Sequence, residues 1–313
     1  MRQSLRLPRS RHIRSLRSNP CKESLLTFSM LKLFSAPLAF LLIQSPCPVL
    51  ASSSSSATTQ TVIHEILTLL LERQTSKPDL PRPYVTLSFA QSLDGQLAPF
   101  TSESRNDGAK TRTPQANYPL SGAESLVLTH AIRSIHDGIL VGGRTFSIDN
   151  PRLTNRLYGD KQLREQHQPR PVVLDPSLQH IQKLSSDTIR AERRLIVLFS
   201  DQLDPGTAEK CKAAHTNCEL VPCPALSDNK LDLEHVLWIL KEQFGMQSLM
   251  VEGGAQVLSS FLDHALFDSI CITIAPCWIG PGIGLTLRAP VSLDFKESPI
   301  VYKNLGNDLI LLI

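Results

Sequence analysis

Two apolar runs in this chain end on paired glycines, "DGILVGGRTFSIDNP" at 137–151 and "QSLMVEGGAQVL" at 247–258. A continuous apolar run is what a strand buried on both faces needs, and in both stretches the residues after the glycines become helical in pattern. Strand, tight turn, helix is the repeating unit of a parallel sheet. Glycine lets backbone come close to a ligand, and the first N–H groups of a helix have no internal acceptor, so such a turn attracts phosphate. The same grammar also serves a plain strand-to-helix turn. Neither stretch is G-x-G-x-x-G or G-x4-G-K-[ST], so the common dinucleotide and P-loop fingerprints are missing.

The rest of the folded part repeats the unit. "TVIHEILTLLLERQ" (61–74) has helical spacing, and "YVTLSFA" (84–90) alternates as a strand before the Asp94-Gly95 turn. Residues 100–119 are polar and read as a loop. Ser121 and Glu124 make an S-x-x-E capping box ahead of a helix whose apolar face is Leu126, Val127, Ala131, Ile132 and Ile135. Strands follow at 138–142, 171–175, 194–200, 218–223, 248–252, 268–280 and 307–313, with helices at 231–244, ended by Gly245, and at 255–266. Strands and helices alternate almost throughout, which predicts an α/β fold with a mainly parallel central sheet and helices on both faces. No strong helix separates the last two strands, so the C-terminal edge should be antiparallel.

Residues 1–59 differ from everything after them. They carry eight Lys or Arg against Glu23 alone, whereas residues 60–313 carry 24 basic and 28 acidic residues, a net −4. The overall charge of +3 therefore sits in a tail and is no argument for nucleic-acid binding. That tail is rich in Arg and Ser like a transit peptide, and from Met30 it looks like a secretory signal. Its apolar run Leu33–Ile43 is well short of the ~20 residues a membrane span needs. The serines at 52–56 read as a flexible linker. We read 1–59 as a disordered or targeting-like extension, or a misplaced start, and 60–313 as one domain of a cytoplasmic protein. Seven cysteines show no framework spacing, and Cys211, Cys218 and Cys223 lack the C-x2-C pairing of a zinc site. No metal is expected.

Several polar residues sit where strands should end. In "ILVGGRTFSIDNPRLTNR", Thr145 falls at a helix start, Asp149 follows four residues on, and Arg144, Arg152 and Arg156 suit a phosphate or carboxylate. Asp149 equally serves as a cap for the Asn-Pro turn, and the arginines as solvated surface. Ser92 and Asp94 lie at the end of the first strand, the edge where open α/β sheets bind ligands. Glu252 is a carboxylate at the end of an otherwise buried strand and needs either a polar ligand or a neighbouring arginine. His130, His136 and His264 fall on helices and form no nucleophile–base arrangement.

Taken together and in order, "VTLSFAQSLDGQLA", "RSIHDGILVGGRTFSIDNPRLTNR", "RPVVLDP" and "LMVEGGAQVLSSFL" with "FDSICITIAP" resemble the riboflavin-biosynthesis reductase family, in its fungal-type form and in the reductase half of the bacterial deaminase–reductase. The resemblance covers roughly 80–313. It implies a dihydrofolate-reductase-like fold, a homodimer and NADPH as hydride donor. It implies reduction of the ribosyl side chain of 2,5-diamino-6-ribosylamino-4(3H)-pyrimidinone 5′-phosphate, a phosphorylated pyrimidine, to the ribitylamino form. The deaminase motifs H-x-E and P-C-x-x-C are absent from the sequence, so only the reductase is expected. Matched position by position, Thr145 and Asp149 contact the cofactor, and Gly253, Gly254, Ala255 and Gln256 wrap its pyrophosphate. Glu252, Arg156, Arg133, Ser92 and Asp94 face the substrate, with Arg156 near the ribose phosphate. Reduction of another pterin- or pyrimidine-like substrate, and nucleotide binding without catalysis, are the alternatives.

Overall fold

The sheet is built by its most apolar segments, and these occupy its middle. The computed structural model describes residues 54–104, 110–184, 194–226, 230–292 and 299–313. All of them fall within one unit, Leu42–Ile313. The strands are β1 (Tyr84–Ser92), β2 (Gln96–Ser104), β3 (Lys110–Pro114), β4 (Gly138–Gly142), β5 (Arg170–Leu174), β6 (Leu195–Ser200), β7 (Cys218–Cys223), β8 (Ser248–Gly253), β9 (Ser269–Ala275), β10 (Gly282–Gly284), β11 (Val301–Leu305) and β12 (Asp308–Leu312). Nine of these form the main sheet, in the order β11-β12-β9-β1-β8-β4-β5-β6-β7. From β9 to β7 every neighbouring pair is parallel. β12 joins β9 antiparallel, and β11 joins β12 antiparallel, so the C-terminal edge is antiparallel as expected. β6, Leu-Ile-Val-Leu-Phe-Ser, is buried at every position, as a parallel strand covered on both faces must be.

The helices are α1 (Ser54–Thr75), α2 (Ala123–Ser134), α3 (Gly143–Asp149), α4 (Lys161–Gln166), α5 (Pro205–Ala214), α6 (Leu233–Glu242) and α7 (Ala255–Asp263). α6 and α7 pack on one face against Val85, Leu87, Leu140, Val172, Leu249 and Val251. The alternate residues of the same strands point the other way. Met250 and Cys271 meet α1 and α2, while Ile139, Val141 and Val173 meet Phe146 of α3. α6 starts cleanly because Asp232 accepts the N–H groups of Glu234 and His235. α5 starts on Asp204, which accepts the Thr207 N–H, with Pro205 in the first turn.

Five expectations change. The segment expected as a loop at 100–119 instead holds the β2–β3 hairpin, which with β10 makes a second, three-stranded antiparallel sheet. Its hairpin is held by pairs such as Thr101 with Thr113, whose hydroxyls lie 2.9 Å apart, and its sequence shows no apolar alternation. Residues 105–109 of that segment lie outside the described residues. The Ser121 capping box does not form. The N-cap is Gly122, its N–H donates to Asp308 Oδ2 at 2.8 Å, and the Glu124 carboxylate lies against Gly306. β9 stops at Ala275 rather than 280, where Pro276 removes a ladder donor. β11 was not expected as a separate strand. Finally, α1 begins at Ser54, so the last three serines of the expected linker are helical, whereas residues 1–53 lie outside the described residues.

α1 is bound to the domain by Ile63, Ile66, Leu67 and Leu70, at i, i+3, i+4 and i+7, each no more than 1% exposed. Leu67→Ala is expected to lower unfolding free energy by about 2–5 kcal/mol in urea titration, the cost of a buried leucine cavity.

Candidate functional site

β8 and β4 are neighbours, and the helices that follow them leave toward opposite faces of the sheet. In open α/β sheets such a divergence marks the crevice outside the carboxyl ends of the strands where ligands bind. The turns meet there in contact. Gly254 has φ +63°, and a Cβ on it would lie 2.4 Å from Thr145 Oγ1. Gly143, at the start of α3, would place a Cβ 2.9 Å from Asp175 Cβ and 3.2 Å from the Leu174 carbonyl oxygen. No larger residue fits either position without displacing a neighbour. Both α3 and α7 begin at a glycine N-cap with no side-chain cap, so their leading N–H groups are left for another acceptor. Thr145 and Asp149 are one helical turn apart on α3 and share a face. The Asp149 carboxylate does not cap its own Asn-Pro turn. It accepts the Asn117 N–H at 2.9 Å and holds the 115–120 segment beside α3.

Glu252 has its arginine. Arg133 Nε donates to Oε1 at 2.6 Å and a terminal nitrogen to Oε2 at 2.7 Å, with side chains 11% and 14% exposed. The other terminal nitrogen donates to the Thr154 carbonyl at 3.0 Å, so one guanidinium joins α2, the end of β8 and the 150–158 segment. Arg156 lies two residues on. Its backbone N–H donates to His130 Nδ1 at 2.9 Å and its guanidinium to Thr154 Oγ1 at 2.8 Å. Burial, then the Arg133 and Arg156 charges, drives the fully buried His130 ring down to about 3, which keeps it neutral and able to accept that N–H.

Ser92 and Asp94 stand at the end of β1, the strand beside β8. Ser92 is 0% exposed. Its hydroxyl donates to Asp94 Oδ1 at 2.5 Å and accepts the Gln96 N–H at 2.9 Å. Asp94 in turn accepts the N–H groups of Ile279 at 3.1 Å and Gly280 at 2.7 Å. This pair fastens the loop after β9, which carries Trp278, an indole 76% exposed. The Ser92 hydroxyl, with the Ile279 and Gly280 N–H groups, holds the Asp94 carboxyl down at about 2.

Two further groups at this edge escaped the sequence reading. Asp175 directly follows β5, 1% exposed, and its Oδ2 accepts the N–H groups of His180 and Ile181 at 2.9 Å each. Desolvation raises its carboxyl above the ordinary carboxylate range. The Asp-Pro at the end of "PVVLDP" was the available signal. Trp278 had none, because its exposure follows from a loop fixed by residues far away in sequence. Among the described residues no group of three or more His, Cys, Asp or Glu is arranged to hold a metal ion. Burial pushes the Cys218 and Cys223 thiols up to about 12. No helix among the described residues is long and apolar enough to cross a membrane.

Comparison with known proteins places the chain in a family. Residues 83–310 match the family model described as RibD C-terminal domain. The 2,5-diamino-6-ribosylamino-4(3H)-pyrimidinone 5′-phosphate reductase of Saccharomyces cerevisiae is 31% identical over 222 residues, 69% of this chain and 80% of that protein. The riboflavin biosynthesis protein RibD of Aquifex aeolicus is 31% identical over 234 residues, 74% of this chain and 57% of that protein. Among solved structures, the riboflavin biosynthesis reductase Rib7 of Saccharomyces cerevisiae superposes with TM-score 0.54 at 26% identity, covering 75% of this chain and 90% of that one. A Thermotoga maritima deaminase/reductase gives TM-score 0.53 at 25% identity, covering 80% and 62%.

Two outcomes test the site's construction. Gly254→Ala should destabilise the protein by about 2–4 kcal/mol through the clash and its positive φ, and Thr145→Ala in the same chain should recover the clash, leaving about 1–3 kcal/mol of backbone strain. The depressed Asp94 pKa means that its contribution is complete above pH 4 and is lost as pH falls toward 2. Trp278 fluorescence, read in a Trp238→Phe background, should change over that window, and Asp94→Asn should abolish the change.

Proposed function

The chain belongs to the RibD C-terminal domain family, and from that premise we propose that it is a reductase of riboflavin biosynthesis. It reduces the ribosyl side chain of 2,5-diamino-6-ribosylamino-4(3H)-pyrimidinone 5′-phosphate, with NADPH as donor. The observation that carries this reading is the crevice between β4 and β8, where two uncapped helix starts and two glycine turns converge beside a carboxylate–guanidinium pair.

The residues present suit a dinucleotide. The N–H groups after Gly253 and Gly254, at Ala255 and Gln256, offer donors to a pyrophosphate, and the absence of side chains at the glycines lets it approach. Thr145 adds a hydroxyl on the facing turn. The nicotinamide, when bound, supplies the hydride. What remains for the protein is to hold donor and acceptor carbons together, anchor charge and exclude water. Glu252, held in one orientation by Arg133, presents a carboxylate toward the substrate without spending an unpaired buried charge. Arg156, steadied by His130, faces the ribose phosphate. Ser92 and Asp94 act by fixing the loop of Trp278 at the crevice rim, and Asp149 by fixing the segment beside α3. In this reading residues 60–313 are a single reductase domain that works as a homodimer, with the family resemblance as support. Cytoplasmic residence is supported by Cys211, Cys218, Cys223, Cys271 and Cys277 all being free thiols.

The test is NADPH oxidation by the full chain with the phosphorylated pyrimidine as substrate, followed by absorbance. Glu252→Gln should lower kcat at least about tenfold with NADPH affinity intact, and Thr145→Ala should weaken NADPH about three- to tenfold with kcat nearly intact. Oxidation absent in wild type would end the assignment of substrate. Oxidation present but unchanged in both variants would end the assignment of site.

A further inference from the structure

One carboxylate at the crevice edge has no part in the proposed contacts with cofactor or substrate. Asp175 directly follows β5 and is 1% exposed, beside an apolar cluster that holds Phe146, Val173, Leu178 and Ile181. Its Oδ1 has no hydrogen-bond partner among the described residues. Burying a carboxyl in this way is costly, and packing alone would be better served by an apolar side chain.

Two things rest on this side chain. Oδ2 accepts the His180 and Ile181 N–H groups at 2.9 Å each, which ties the turn 176–181 back to the end of β5. That turn needs the tie, because Leu178 is left-handed at φ +57°, a conformation that a branched side chain disfavours. On its other side Asp175 is the seat of α3. A Cβ on Gly143 would lie 2.9 Å from Asp175 Cβ and 3.0 Å from its Cγ. The turn meets α3 again through Ser147 Oγ and His180 Nδ1, 3.4 Å apart, and Phe146 belongs to the same cluster as Leu178 and Ile181. α3 has seven residues, too few to keep its place without such supports. It carries Thr145, whose hydroxyl lies against Gly254, and Asp149 one turn on.

We propose that Asp175 is a positioning residue for the cofactor: through Gly143 and the 176–181 turn it sets where α3 presents Thr145 to the Gly253–Gly254 turn. The assignment rests on NADPH occupying that crevice. Asp175→Asn keeps an oxygen for the two N–H groups, whereas Asp175→Ala leaves both without an acceptor. NADPH is titrated calorimetrically into the full-chain protein and each variant, at a temperature below every melting transition, which needs no turnover. Asp175→Asn should bind within about twofold of wild type, and Asp175→Ala at least about fivefold more weakly. In steady state the NADPH KM of Asp175→Ala should rise by the same factor, with kcat and the pyrimidine KM within about twofold of wild type. Gly143→Ala, whose Cβ would press on the same seat with the carboxylate bonds left in place, should also bind at least about fivefold more weakly, and it carries the test where Asp175→Ala does not fold. Wild-type affinity in a folded Asp175→Ala, with only a lower Tm, overturns the proposal, because the carboxylate would then be structural alone. Asp175→Asn as weak as Asp175→Ala, or Gly143→Ala as tight as wild type, overturns it as well. Wild type that binds no NADPH overturns the proposed cofactor together with it, whereas tight wild-type binding that none of the variants alters removes the role of Asp175 alone.

Discussion

The close approach of two turns governs this molecule. Gly254 lies so near Thr145 that no Cβ fits between them, and Gly143 lies as near to Asp175. Only glycines permit β4 and β8 to sit side by side while their helices depart to opposite faces. The crevice follows from that, and so do its chemical properties, because helices forced to begin on glycine begin without side-chain caps. Their leading N–H groups are thus donors held in place by packing alone, which is how backbone becomes a binding surface.

Electrostatics complete what the backbone begins. A carboxylate at the end of a buried strand is costly alone, and Arg133 removes that cost with a two-pronged contact. Such a pair contributes little net stability compared with apolar packing, yet loss of either member alone leaves an uncompensated charge. Its value is geometric: it fixes where the Glu252 oxygens point. The Ser92–Asp94 contact works the same way on the loop after β9, with backbone N–H groups as the fixed partners.

What the sequence revealed was whatever depended on near neighbours. Continuous apolar runs marked β4, β5, β6 and β8, helical spacing marked α1, α6 and α7, and the paired glycines marked both turns of the crevice. Thr145, Asp149 and Glu252 were legible as polar residues at strand and helix ends, and Arg133 only through the family resemblance. What failed was set by distant partners. Asp308 took over the Gly122 N–H across 186 positions, which displaced a capping box that looked sound locally. Asp94 faces Ile279 from 185 positions away, so a turn-forming aspartate proved to be a fastener between loops. Polar strands β2 and β3 gave no alternation to read, because their pairing rests on threonines and backbone rather than on a buried face.

α2 has a geometric consequence of its own. His130 and Arg133 stand three residues apart on it, one reaching the backbone of Arg156 and the other the carboxylate of Glu252. A helix of this kind is stiff over a single turn, about 5.4 Å. The spacing between the Arg156 backbone at one end and the Glu252 carboxylate at the other is therefore read off a rigid gauge rather than left to two independent loops. Any ligand touching both must match that length, and α1, clamped along α2, keeps the gauge from tilting.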